Sequence, residues 1–165
     1  MSLSAEIGRT GPRIGYDAIE VVEPIHPKCG RLLNYWVARC KNGVVPSRRD
    51  FNPFDLPDLV GGMSVTEPVN GGADIRCRLV GAANEQRLGV SLTGRLISEC
   101  YEPGAAAEQI AIHNRVMSGT TPVVLRGNFV DIDLEYARFE CIYLPVRAEA
   151  GLQVIGGLYD MAQTD

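Results

Sequence analysis

The sequence predicts an α+β fold, a five-stranded antiparallel sheet with helices on one face and an amphipathic helix ahead of it. Three observations support this. Period-two apolar patterning begins only after Gly61-Gly62. It is divided into an early hairpin and a late meander. The helical periodicity that is not N-terminal falls between those two blocks. Strand runs separated from helix runs in this way mark α+β architecture rather than the alternating order of a parallel βαβ sheet. The chain has 165 residues, 45% hydrophobic and 22% charged, which fits one globular domain. A domain of this size buries about 70% of its unfolded surface and folds without disulfide or metal staples.

The elements follow in order. Residues 1–29 carry Gly8, Gly11, Pro12 and Gly15 with little apolar periodicity and are expected to be a flexible leader. Residues 30–60 hold the first helix and a connector. Leu32, Leu33, Trp36, Val37 and Cys40 recur at helical spacing before the Asn42-Gly43 stop. Pro46, Pro53 and Pro57 then forbid a long regular element, leaving room for one short turn capped by Asn52 or Asp55. The core is expected over 61–162. Strands over 63–69 and 74–80 flank the Asn70-Gly71-Gly72 turn. A short helix over 81–88 and a turn-rich loop over 89–95 follow. The longer helix over 102–117 has Ala106, Ile110, His113 and Met117 on one stripe and Gly119 as its stop. Three strands over 121–130, 136–147 and 152–161 complete the meander. In the middle one, Phe139, Cys141 and Tyr143 share a face, while Ile142, Leu144 and Val146 make the other apolar as well. That second face needs a cover, either the Trp36 helix or a second subunit. Leu33, Trp36, Val37 and Cys40 are therefore the expected partner or homodimer surface.

Several function classes are disfavoured by composition and motif. Sixteen Lys and Arg against twenty Asp and Glu give a net charge of -4, opposite to the basic balance usual for nucleic-acid binders. Apolar runs stop well short of a membrane span, and the N-terminus has no basic-then-apolar signal peptide. A cytoplasmic protein is expected, with no nucleic-acid and no membrane partner. The five cysteines are scattered, without the two-residue spacing that presents paired thiolates to zinc, so core thiols are expected. There is no Gly-x-Ser-x-Gly elbow, phosphate loop or His-Glu-x-x-His pair, and of the two histidines His26 lies among prolines in the leader. Asp131, Asp133 and Glu135 are expected to be a solvated turn rather than a cation site. The expected protein is not an enzyme. A small cone-fold isomerase using Tyr159 and Asp160 is the catalytic alternative.

The residues from 30 to 161 resemble the PAS domain, specifically the compact bacterial group in which an N-terminal helix and a Pro-Ser-Arg-x-Asp-Phe-x-Pro segment precede the sensor fold. The matching pieces are Trp36, then Pro46-Ser47-Arg48-Arg49-Asp50-Phe51-Asn52-Pro53 and Leu56-Pro57. They continue through Arg78-Leu79-Val80-Gly81, Leu92-Thr93-Gly94-Arg95, Leu144-Pro145-Val146 and Tyr159-Asp160. The resemblance implies a pocket for a small-molecule ligand between sheet and helices. It also implies a sensor or adaptor that acts through a signalling protein partner. No output domain follows in the chain, so a stand-alone module is expected, with a ligand-free interaction module as the alternative.

The expected ligand contacts are His113, Arg95, Tyr101, Phe129, Phe139, Cys141 and Tyr143, with Arg78, Asn84 and Gln86 as further polar groups. Arg78 faces away from Ile75, Cys77 and Leu79, and an ion pair or solvent suits it better. Arg95 after Gly94 is most simply a loop-fixing residue. Ser47, Arg48 and Asp50 are balanced between a binding motif and a run bonded to its own backbone. Some relatives hold haem through a histidine on the long helix, the place of His113. A lone histidine on an apolar stripe is more often a core residue bonded to backbone, so haem is the minority expectation. In flavin photosensors a reactive cysteine follows the Gly-Arg by two residues. Ile97 stands there instead, with Cys100 further on, which disfavours the adduct and ranks flavin below haem.

Overall fold

The computed structural model describes residues 13–130 and 137–161. The elements are β1 (Gly15–Val21), α1 (Pro27–Arg39), β2 (Met63–Val69), β3 (Asp74–Val80), α2 (Ala82–Leu88), α3 (Ile97–Cys100), α4 (Pro103–Gly119), β4 (Val123–Val130), β5 (Arg138–Ala148) and β6 (Gly151–Asp160). All pairings between strands are antiparallel, and the order across the sheet is β1-β4-β5-β6-β2-β3. The α+β class stands, with six strands where five were expected.

The added strand lies inside the expected leader. β1 pairs with β4 from Gly15 opposite Val130 to Val21 opposite Val124. As an edge strand it buries little, and Ile19 is 67% exposed, so its alternation is too weak to stand out among the N-terminal glycines. Asp131, Asp133 and Glu135 lie outside the described residues.

α1 begins at Pro27, five residues before Leu32, the first position of its predicted apolar stripe. Pro27 occupies the first turn, where a missing N–H costs nothing, and His26 Nδ1 accepts the Lys28 N–H at 3.0 Å. Cys29, Leu32 and Trp36 form its buried stripe. They pack on Val124, Ile142, Leu144, Val146 and Ile155 of the sheet's outer face, together with Leu56 and Leu59 of the connector. The Trp36 indole N–H donates to the Pro145 carbonyl at 2.8 Å. Contact is close: a Cβ on Gly157 would stand 2.5 Å from Leu32 Cδ1, so the helix approaches at that point only because β6 carries glycine.

Of the two expected covers for the outer face, the chain's own helix is the one in place. Of the expected partner-surface residues, Trp36 is buried against the sheet, Leu33 and Cys40 rest partly buried against the same core, and Val37 is largely exposed.

The connector is a run of 3-10 turns. Ser47 and Asp50 cap the first reciprocally, and Asn52 caps the second through its side chain. On the opposite, inner face, α2, α3 and α4 lie over the sheet around a second core that includes Ile75, Leu88, Leu92, Val116, Leu125 and Phe129. The β2–β3 turn has Asn70, Gly71 and Gly72 at positive φ. Asn114 of α4 donates to the Gly72 carbonyl at 2.8 Å and so fixes the long helix to the hairpin. Among the described residues no helix is long and apolar enough to cross a membrane.

Candidate functional site

The inner core is incompletely filled. A cavity of about 90 Å³ lies between the sheet and the helices, with Tyr101, His113, Phe129, Phe139, Cys141 and Tyr143 on its wall. Asn84, Gln109, Tyr16, Cys77 and Thr66 contribute to the same wall, and among the described residues it carries no Asp, Glu, Lys or Arg. Six of the seven expected contacts are brought together. Arg95 is the exception. Its guanidinium bonds the Ser91 and Glu99 carbonyls and pairs with Glu99, which makes it the loop-fixing residue. Arg78 is exposed and pairs with Glu67, and Gln86 is also exposed.

The helical stripe determines what α4 presents. Ala106, Gln109 and His113 follow one another at three and four residues, so the same face that buries Val116 and Met117 places an amide and an imidazole against the sheet. Gln109 donates from Nε2 to the Tyr16 hydroxyl at 2.8 Å and accepts the Tyr143 O–H on Oε1 at 2.9 Å. The Cys141 thiol in turn donates to the Tyr143 oxygen at 3.5 Å. This network was not foreseen, because a glutamine in a helix reads as a solvent residue; its position four residues before His113 was the available sign. Tyr16, on the unforeseen β1, packs edge-to-face on Tyr101 and Phe139.

The wall suppresses charge of either sign. Desolvation pushes the Cys77 and Cys141 thiols up to about 12 and the Tyr101 and Tyr143 phenols well above their ordinary range. The same cause drives His113 down to about 4, against the smaller opposing effect of its bond to the Gln109 carbonyl. Because a carbonyl only accepts, that 2.7 Å contact requires Nδ1 to carry the proton and leaves Nε2 with a free lone pair. Among the described residues Nε2 has no hydrogen-bond partner, and neither has the Tyr101 hydroxyl. Asn84 donates to the Gly62 carbonyl at 2.9 Å, yet its buried Oδ1 receives nothing. A buried polar atom without a partner loses on the order of 1–3 kcal/mol, and Arg87 Nη1, three residues further along α2, is likewise buried without a partner among the described residues.

The cavity also tests the cofactors. A tetrapyrrole or a flavin ring needs a site of roughly 300 Å³ or more, several times the space present, so neither fits. Cys100 is buried in the inner core but is not among the residues on the cavity wall, and desolvation raises its thiol. The pair named for an isomerase is not assembled. Tyr159 is buried on the outer face and donates to the Leu59 carbonyl at 2.8 Å, whereas Asp160 is exposed and pairs with Arg87. Among the described residues no group of three or more His, Cys, Asp and Glu is placed to hold a metal ion.

Comparison with known proteins adds the family. No curated protein matches the chain. The solved structure of an RNA-binding light-oxygen-voltage receptor is similar at 19% identity and a TM-score of 0.44, over 94% of this chain and 41% of that one. The chain therefore spans less than half the length of that receptor's chain. The PAS_5 model, a PAS domain, matches residues 25–159. That span holds the covering helix, the capped connector, five of the six strands and most of the cavity wall, and the chain belongs to the PAS_5 family of PAS domains.

Proposed function

We propose that this PAS domain is a non-catalytic sensor whose inner cavity takes a small uncharged ligand with hydrogen-bond donors, and that it passes occupancy on through contact with a signalling protein. The observation that carries the reading is a cavity whose described lining has no charged side chain and on which His113 Nε2 is left with a free lone pair, beside Asn84, whose buried Oδ1 has no donor among the described residues. A ligand N–H or O–H supplies what these atoms lack. A charged ligand would have to be desolvated against groups that are themselves forced neutral. An engineered cavity of about 150 Å³ holds benzene, so the ligand here is on the order of half a dozen non-hydrogen atoms or fewer. To act as a signal it must bind two conformations of the domain unequally.

The test uses matched probes. Thermal melting with acetamide, pyrazole and pyrrole is expected to rise with concentration, because native-state binding stabilises by mass action. Acetate and methylammonium, of similar size but charged, are expected to leave melting unchanged. Replacing Asn84 with Leu should abolish the response to the neutral probes. A set of neutral probes without effect on the parent protein would overturn the ligand reading and leave the ligand-free interaction module in its place.

A further inference from the structure

A second hollow, of about 530 Å³, lies on the surface between the connector, the β5–β6 turn and the β2–β3 hairpin, with Arg48, Arg49, Arg78 and Arg147 on its wall. Glu67 and Glu149 are the acids there, so this wall carries two net positive charges on a chain whose own balance is -4. Three of the arginines come from separate elements and are each held by one bond. Arg48 donates from Nη1 to Gln153 Oε1 at 3.4 Å. Arg147 donates from Nε to the Val45 carbonyl at 2.9 Å. Arg78 donates from Nη1 to Glu67 Oε2 at 3.3 Å. Gln153, itself only 5% exposed, closes the chain by donating from Nε2 to the same Glu67 oxygen at 3.2 Å. Each guanidinium is oriented at one end while its other N–H groups have no hydrogen-bond partner among the described residues. Arg49 adds a fourth charge through a pair with Glu149 that is almost wholly exposed, and so is weak and exchangeable.

We propose that this groove binds a phosphate monoester dianion through Arg48, Arg78 and Arg147. Planar guanidinium forks match phosphate oxygens in pairs, and forks fixed beforehand lose little entropy on binding. The two net charges match a dianion better than a monoanion. The volume lies within the usual range for a small-ligand site and exceeds what a bare ion needs. The groove also explains why the connector divides its labour. Ser47 and Asp50 bond to their own turn and hold its shape, while Arg48 reaches across to β6. The phosphate can arrive on a free metabolite or on a phosphorylated partner side chain, and the site chemistry is the same.

The experiment is a nuclear magnetic resonance titration at low ionic strength, following the Arg side-chain Nε–H and Gln153 amide signals. The probes are inorganic phosphate, glycerol phosphate, and a phosphoserine peptide beside its unphosphorylated form. Saturable shifts at Arg48, Arg78, Arg147 and Gln153 are expected. Arg48→Gln and Arg147→Gln should each weaken binding about tenfold, the effect of losing one charged hydrogen bond. Arg115→Gln, far from the groove, should not. Glu67→Gln should tighten binding, a gain that damage to the fold would not produce. Glycerol phosphate above the peptide would point to a metabolite, and the reverse to a phosphorylated partner. Equal shifts with chloride at matched ionic strength, equal loss in the Arg115 variant, or weaker binding by Glu67→Gln would overturn the proposal.

Discussion

The two faces of β5 have opposite fates although they are built from the same eleven residues. On the outer face Ile142, Leu144 and Val146 are all fully buried under α1 and the connector, in an apolar core with Leu32, Trp36 and Leu59. The one acid there, Glu140, is also fully buried, and all its needs are met. It accepts the Ile25 N–H at 3.1 Å, the His26 N–H at 2.8 Å and two Arg126 N–H groups at 2.9 and 3.0 Å. On the inner face Phe139, Cys141 and Tyr143 meet helices whose polar atoms are only partly satisfied, around space that is not filled. The sealed face and the proposed ligand site are thereby separated by one layer of backbone. The sealed side locks the N-terminal segment to the sheet, and the loose side retains the vacancy and unpaired groups on which the proposed ligand site rests.

The largest expected effect comes from breaking the sealed side. Arg126→Met leaves the Glu140 carboxylate buried without its counter-charge and should cost about 3–5 kcal/mol in urea unfolding. A loss below about 1 kcal/mol would show that the two backbone amides suffice and that the outer face is less dependent on this pair than described. The carboxyl adds an acid limit. Burial opposes its charge, but the amides and guanidinium outweigh it and hold it below the usual carboxylate range. Its contribution is complete above the ordinary value of 4.5 and is lost as pH falls through the lower folded value.

The inner face has its own pH signature at higher pH. His113 resists protonation down to about 4, while the unfolded chain takes up that proton near 6.5. Stability is therefore full above 6.5 and declines toward 4, by about 2 kcal/mol between pH 7 and pH 5. Glu140 is silent in that window, so His113→Gln should flatten the pH 7 to 5 profile. An unchanged slope in that variant would remove the neutral imidazole from the account. Smaller again is Trp36→Phe, which strands the Pro145 carbonyl and should cost about 1 kcal/mol. Gel filtration of the same variant is expected to be unchanged, because the indole is buried against the chain's own sheet.

Much of this division was legible in the sequence, for local reasons. The β2–β3 hairpin follows from Asn70-Gly71-Gly72 between alternating strands, and the two faces of β5 follow from its own period of two. The apolar stripe of α1 announced a cover for the outer face. Nothing in that stripe distinguishes a sheet of the same chain from that of another, which is why Trp36 was placed at an interface. β1 was hidden because an edge strand gains its order from β4, more than a hundred residues away. For Arg95 the simpler of its two readings, the loop-fixing one, matches the structure, because the pairing of its loop with β3 turns the guanidinium toward Ser91 and Glu99. Asn84 and His113 were visible as residues, but the absence of partners for their acceptors exists only in three dimensions.

The most direct test is a crystal structure of the protein grown with acetamide and, separately, with acetate. Acetamide density is expected between α4 and the sheet, with its N–H groups within hydrogen-bond distance of Asn84 Oδ1 or His113 Nε2, and no acetate in the same place. A cavity holding only water in both crystals, or one that accepts acetate as readily as acetamide, would contradict the account.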